Sequence, residues 1–179
     1  MDLYLSNKVA IVTGASRGIG KAIAETLSAE GMKLVLAARS KAELESLAKS
    51  LPNESLVQVI DLREPDSASK VITSTIEKFG KLDLLVNNAG ATKRGDFLTL
   101  ADDEWMDGFA LKFYAAMRLS RAAWAYLKES NGTIINIIAM GQGEPALWVG
   151  LSALFPLVLL LLSGLYLFVL PYAARWRSS

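Results

Sequence analysis

The chain has 179 residues and a formal net charge of +1, and it contains neither cysteine nor histidine. That length suits one domain with a sizeable core, and the near-neutral balance gives no argument for nucleic acid or for acidic partners. Disulfides, thiolate chemistry, Ser-His-Asp relays and the usual zinc sites are excluded, which leaves proton transfer to Tyr, Lys, Asp or Glu.

Asp2 and Lys8 interrupt any apolar run at the N-terminus, so no secretory leader is expected. Residues 9–12, Val-Ala-Ile-Val, predict a buried parallel strand. Gly14, Gly18 and Gly20 follow, and a helical pattern opens behind them with Ile19, Ala22, Ile23 and Leu27 on one face and Gly31 at its close. A strand, a glycine turn and a helix N-terminus make an anion site, because the backbone can approach a phosphate and the unpaired amides favour negative charge. Residues 33–38 predict a second strand, which ends at Arg39. Ser40 and Glu43 have the spacing of a capping box, Leu44, Leu47, Ala48 and Leu51 form an inward stripe, and Pro52 ends that helix. A third strand over 56–60 is closed by Asp61. Ala68, Val71, Ile72, Ile76 and Phe79 then fall at helical spacing, with Gly80 as the stop. A fourth strand over 82–86 leads into Asn87-Asn88-Ala89-Gly90. One long helix over 102–129 would place Trp105, Phe109, Phe113, Ala116, Ser120, Ala123 and Leu127 on one side, and 133–138 predicts a fifth strand.

Strands alternating with helices predict an α/β fold, a doubly wound parallel sheet of about five strands covered on both faces. Such a sheet binds its ligand at the carboxyl ends of its strands. Gly14, Arg39, Asp61 and Asn88 each follow one of the first four strands.

Thr13-Gly14-Ala15-Ser16-Arg17-Gly18-Ile19-Gly20 resembles the TGxxxGxG cofactor loop of the short-chain dehydrogenase/reductase family. Asp61-Leu62 resembles that family's adenine-contacting pair, and Asn87-Asn88-Ala89-Gly90 its NNAG turn, with the resemblance covering about residues 6–145. It implies a Rossmann fold in which Gly14, Ser16, Arg17, Gly18, Ile19 and Gly20 surround a pyrophosphate and the nearby ribose. Asp61 and Leu62 would meet the adenine, and Asn88, Ala89 and Gly90 the other ribose. Asparagines also serve simply to tie down turns, which is the alternative role for Asn87 and Asn88. An NAD site needs an acid about 20 residues beyond the glycines, and none stands between Glu30 and Glu43. Arg39, with Arg17 as a second cation, instead suits the 2′-phosphate of NADP.

The implied chemistry is hydride transfer between a nicotinamide and a carbonyl or alcohol. In the family a Tyr moves the proton, a Lys four residues later lowers its pKa, and Ser and Asn complete the relay. Here Lys112 stands where the family carries Asn, and Ala139 where it carries Ser. No Tyr-x-x-x-Lys occurs downstream, where Tyr166 and Tyr172 are followed four residues on by Leu170 and Trp176. These departures predict cofactor binding with impaired turnover. Two alternatives stay open: a carbonyl reductase with Lys112 as a variant acid, and a non-catalytic module that senses NADP(H) or pairs with another chain through the 102–129 helix.

Residues 145–174 carry no charged side chain, and 151–170 hold ten Leu, two Phe and two Val. At about 1.5 Å per residue such a helix spans about 30 Å, one bilayer core. The expected organisation is a nucleotide-binding domain over 1–145 on the cytoplasmic side and a tail over 146–179, anchored in a membrane by 147–170. Arg175, Trp176 and Arg177 resemble an interfacial anchor. A buried core helix and a frameshifted or alternative ending after Pro145 are the competing readings of the tail.

Overall fold

The computed structural model describes residues 3–90 and 98–137, which fall in the first of two compact units, Met1–Ile137. The second unit, Ile138–Ser179, lies outside the described residues, and with it the expected domain boundary, Ala139 and the apolar segment over 151–170. Among the described residues, no helix is long and apolar enough to cross a membrane.

The elements run β1 (Val9–Thr13), α1 (Gly18–Ala29), β2 (Lys33–Ala38), α2 (Lys41–Ser50), β3 (Ser55–Val59), α3 (Ser67–Phe79) and β4 (Leu84–Asn87). Then come α4 (Asp102–Phe109), a π-helical turn (Ala110–Tyr114), α5 (Ala115–Ser130) and β5 (Thr133–Asn136). The five strands form one parallel sheet in the order β3-β2-β1-β4-β5. The chain thus builds outward from β1 on one side, returns, and builds outward again from β4. The two directions part between β1 and β4, where Val12 pairs with Leu36 on one side and Val86 on the other.

Side chains alternate across a strand, and the two faces of the sheet carry separate cores. Ala10, Val12, Leu34 and Leu36 pack with Ala24, Leu44 and Leu47 of α1 and α2. Ile11, Val35, Ala37 and Leu85 pack with Val71 and Ile72 of α3 and with Leu119, Ala123 and Leu127 of α5. Helices on both sides explain why β1 is apolar from Val9 to Val12 and buried along its whole length.

Three expectations are corrected here. Helix α1 meets the sheet through Gly20, Ala24 and Ser28, with Ile23 and Leu27 only partly covered, while Ile19 and Ala22 face outward. Small residues let the helix lie close to the strands, so its buried stripe does not follow the bulky side chains. Ser40 holds the N-cap position of α2, yet its hydroxyl makes no cap hydrogen bond. The long helix over 102–129 is broken by the π-helical turn, whose extra residue rotates everything after it by roughly 100°. The buried stripe therefore runs through Gly108, Leu111, Ala115, Leu119, Ala123 and Leu127, while Phe109 and Phe113 are 54% and 59% exposed.

Candidate cofactor site

The carboxyl ends of β1 and β4 meet through Thr13. Its buried hydroxyl donates to the Val86 carbonyl at 3.1 Å and accepts the amides of Asn88 and Ala89, both at 2.9 Å. Asn88 completes the clasp, its side-chain amide donating to the Thr13 carbonyl at 2.9 Å and to the Gly14 carbonyl at 3.3 Å. The asparagine's NH₂ is thus committed to holding the glycine loop in place. Thr13 was not singled out from the sequence, although a hydroxyl residue ending a buried strand beside a glycine was the available signal.

Gly14 and Gly18 both adopt positive φ, 65° and 57°, which side chains other than glycine rarely tolerate. Gly20 is required for space: a Cβ there would lie 2.2 Å from the Gly14 carbonyl oxygen and 2.5 Å from Nδ2 of Asn88. A Cβ at Gly18 would meet nothing within 4 Å, so that side of the loop is open. Arg17 occupies the N-cap of α1 with no side-chain cap hydrogen bond, and the first turn holds no acid. The first amides of a helix lack partners within it, and here no side chain supplies one. Arg17, Gly18 and Ile19 are exposed around this opening, and Ser16 is partly so. Open space, left-handed glycines and an uncapped helix dipole fit the pyrophosphate of a dinucleotide.

Across the cleft, Arg39 leaves the end of β2 with its side chain 63% exposed, its Nη1 3.9 Å from Oδ2 of Asp61. Asp61 also faces Arg63 at 3.4 Å. Arg63 in turn grips Asp107 of α4 with two hydrogen bonds, at 2.5 and 2.9 Å. The Arg63 hydrogen bonds hold the Asp107 carboxyl below its ordinary value, and Asp107 raises the guanidinium in return. Arg63 was missed because its partner stands 44 residues away with no local pattern to mark it. Leu62 is 3% exposed and belongs to the core shared with α3 and α5, so its side chain is not presented to the cleft.

Asn87 is buried at the β4–β5 junction and donates to Ser120 at 3.1 Å and to Asn136 at 2.9 Å. Ala89 is partly buried and Gly90 exposed, and the stem of Lys112 lies against Gly90. The one Tyr-x-x-x-Lys spacing in the sequence, Tyr4 to Lys8, belongs to the opposite end of the strands, where Lys8 donates to Asp83 at 2.9 Å. Among the described residues, no group of three or more acids could hold a metal ion.

The pattern of the short chain dehydrogenase family matches residues 8–150. The 3-oxoacyl-(acyl-carrier-protein) reductase FabG of Escherichia coli is 36% identical over 156 residues, covering 84% of this chain and 64% of that protein. The crystal structure of L-sorbose reductase from Gluconobacter frateurii, complexed with NADPH and L-sorbose, superposes with a TM-score of 0.70 at 36% identity over 75% of this chain and 53% of that one. A short-chain dehydrogenase from Streptomyces avermitilis gives 0.67 at 34% identity over 72% and 48%. This chain therefore spans roughly half to two thirds of the length of the relatives it matches.

Proposed function

The chain belongs to the short chain dehydrogenase family, and on that premise we propose that its cleft binds a nicotinamide dinucleotide, NADP(H) in preference to NAD(H). Gly14, Ser16, Arg17, Gly18, Ile19 and Gly20 hold the pyrophosphate and nearby ribose, Asp61 and the backbone of Leu62, whose side chain is core, the adenine, and Asn88, Ala89 and Gly90 the second ribose. When bound, the cofactor supplies a hydride for exchange with a carbonyl or alcohol carbon.

The observation that carries the NADP preference is Arg39, exposed at the end of β2 and, among the described residues, held only by a loose 3.9 Å ion pair to Asp61 and by the more distant charge of Asp107. A guanidinium so weakly engaged is free to take a 2′-phosphate by charge-assisted hydrogen bonds, and the L-sorbose reductase relative was solved with NADPH. Arg39→Ala should weaken NADPH binding roughly tenfold to a hundredfold, about 1.5–3 kcal/mol, and leave NADH almost unchanged. Fluorescence titration of both nucleotides tests this, and equal losses for the two would remove Arg39 from the site.

The proton side of the reaction is the weak part of this chain. Lys112 and Ala139 replace two members of the relay, and no Tyr-x-x-x-Lys follows β5. Positioned acid catalysis contributes about 10²–10⁴-fold, so carbonyl turnover with NADPH should stay well under about 1 s⁻¹ across an aldehyde and ketone panel. Faster turnover would refute the impairment.

Two partner assignments belong to the same reading. The exposed face of α4, the π-turn and α5 carries Met106, Phe109, Phe113 and Trp124, each more than half exposed. Exposed apolar side chains in that number support a protein interface, and a second copy of this chain is the occupant we assign. Sedimentation of the full chain in detergent reads its oligomeric state. The uncharged composition of 145–174 supports a membrane anchor, tested by resistance of the full chain to carbonate extraction and by its loss when residues 147–179 are deleted.

A further inference from the structure

Lys112 sits in the π-helical turn Ala110–Tyr114, the element that breaks the helical phase between α4 and α5. Such turns re-aim side chains and occur often at functional sites. Its stem lies lengthwise along the turn that follows β4. A Cβ built on Gly90 would be 3.0 Å from both Cγ and Cε of Lys112 and 3.5 Å from Cδ. Gly90 therefore makes room for the stem of Lys112, an exposed residue, which lies on the β4 side of the cleft. No acid among the described residues pairs with it.

The sheet order fixes which end of a dinucleotide meets this cation. Arg39 and Asp61 mark the ends of β2 and β3, so a 2′-phosphorylated adenosine lies on that side. The molecule crosses at the β1–β4 divide, and its nicotinamide half then lies toward β4 and Gly90. The oxidised nicotinamide ring carries a positive charge and the reduced ring carries none. An ammonium on that side of the cleft repels only the oxidised form.

We propose that Lys112 is a selector of cofactor redox state, a cation that biases this cleft toward NADPH and against NADP⁺. The assignment rests on the NADP(H) site proposed above, and it makes the cleft one that accepts reduced cofactor and releases oxidised cofactor. For unit charges about 7 Å apart at an effective dielectric of about 40, the bias is roughly sevenfold in a binding ratio, falling to about twofold at physiological salt.

The test is titration of the full-length protein with NADPH and with NADP⁺, separately, at low and at physiological salt. Wild type should bind NADPH more tightly. Lys112→Met, which keeps the stem against Gly90, should shrink the NADP⁺/NADPH ratio of dissociation constants by about twofold to sevenfold, chiefly by tightening NADP⁺. Lys112→Arg should preserve the wild-type ratio. An unchanged ratio in Lys112→Met, or equal weakening of both nucleotides, overturns the selector and leaves the cofactor site standing. Failure of wild type to bind either nucleotide overturns the site and the selector together.

Discussion

β1 and β5 belong to the same parallel sheet, yet their surroundings differ completely. All five residues of β1 are buried, whereas in β5 Thr133, Ile135 and Asn136 are exposed and only Ile134 is partly covered. On the β1–β2–β3 side, α1 and α2 close one face and α3 the other. At β5, α5 supplies cover through the core that includes Leu127 and takes in Ile134, while Ile135 remains 40% exposed. The glycine cradle and Arg39 stand on the closed side, where backbone positions are over-determined by packing on two faces. The open side carries Lys112 and the aromatic face of α4 and α5. The difference separates a half packed on both faces, which carries the proposed cofactor cradle, from a half that keeps apolar side chains exposed.

The largest expected effect breaks the closed half at its tightest point. Gly20→Ala places a methyl 2.2 Å from a backbone carbonyl oxygen, which cannot rotate away as a side-chain tip could. Overpacking typically costs 1–3 kcal/mol, and this contact should fall at the upper end, about 3 kcal/mol, with NADPH affinity down at least about 100-fold. Gly18→Ala is the internal control, since it meets nothing within 4 Å and suffers only from its φ of 57°, roughly 1–2 kcal/mol. Denaturant melts paired with nucleotide titration read both variants. A loss at Gly20 no larger than that at Gly18 would mean that the Gly14–Asn88 contact does not set the cradle.

The next effect probes the end of the sheet remote from the cleft. Asp83 is 8% exposed, accepts from Lys8 Nζ and the Val9 amide, each at 2.9 Å, and lies 3.3 Å from Lys81. Burial pushes its carboxyl up, but the Lys8 and Val9 hydrogen bonds and the two lysine charges outweigh that and hold it below the ordinary value. A carboxyl depressed by folding stabilises the fold above its unfolded pKa of about 3.9 and loses that contribution as pH falls through the lower folded value. Asp83→Ala should cost roughly 2–3 kcal/mol near neutrality, less than a fully buried pair because Lys8 is 40% exposed. Stability measured from pH 7 to pH 2 should fall in wild type below about pH 4, and that acid-sensitive component should shrink in the variant. A parallel acid profile in both would remove Asp83 as its source.

Legibility in the sequence followed a different division, between local chemistry and distant partners. Strand order of appearance, the glycine cradle and the positions of Arg39 and Asp61 could be read because each depends on local chemistry: β-branched runs, positive φ, a charge at a strand end. The roles of Thr13 and Arg63 could not, because their partners at Val86, Asn88 and Asp107 are distant in sequence. Asn88 had two readings on its residue type, and the fold places its amide on the Thr13 and Gly14 carbonyls. The faces of the 102–129 helix were misassigned because a constant period of 3.6 was carried through Ala110–Tyr114, where the backbone makes a π-turn. Nothing in Ala-Leu-Lys-Phe-Tyr announces that irregularity, which places Leu111 within the turn and Ala115 directly after it in the core.

The smallest effect on stability should come from the open half, and that smallness is the point of the measurement. Trp124 is 64% exposed and Phe113 59%, so in the isolated protomer each loses little contact on truncation. Surface substitutions of this kind usually stay within about 0.5 kcal/mol. The same two side chains belong to the proposed pairing surface, and in interfaces truncation of an aromatic anchor costs on the order of 2 kcal/mol or more of association. Trp124→Ser with Phe113→Ser should therefore leave the unfolding midpoint of dilute protein nearly unchanged while weakening self-association about 30-fold or more, because 2 kcal/mol corresponds to that factor. Analytical ultracentrifugation over a concentration series, beside thermal melts at the lowest concentration, separates the two quantities. Loss of several kcal/mol at low concentration would show that the face is covered within one chain and that the two halves of the sheet are equally closed. Unchanged stability with unchanged association would leave the face exposed but withdraw the second copy as its partner.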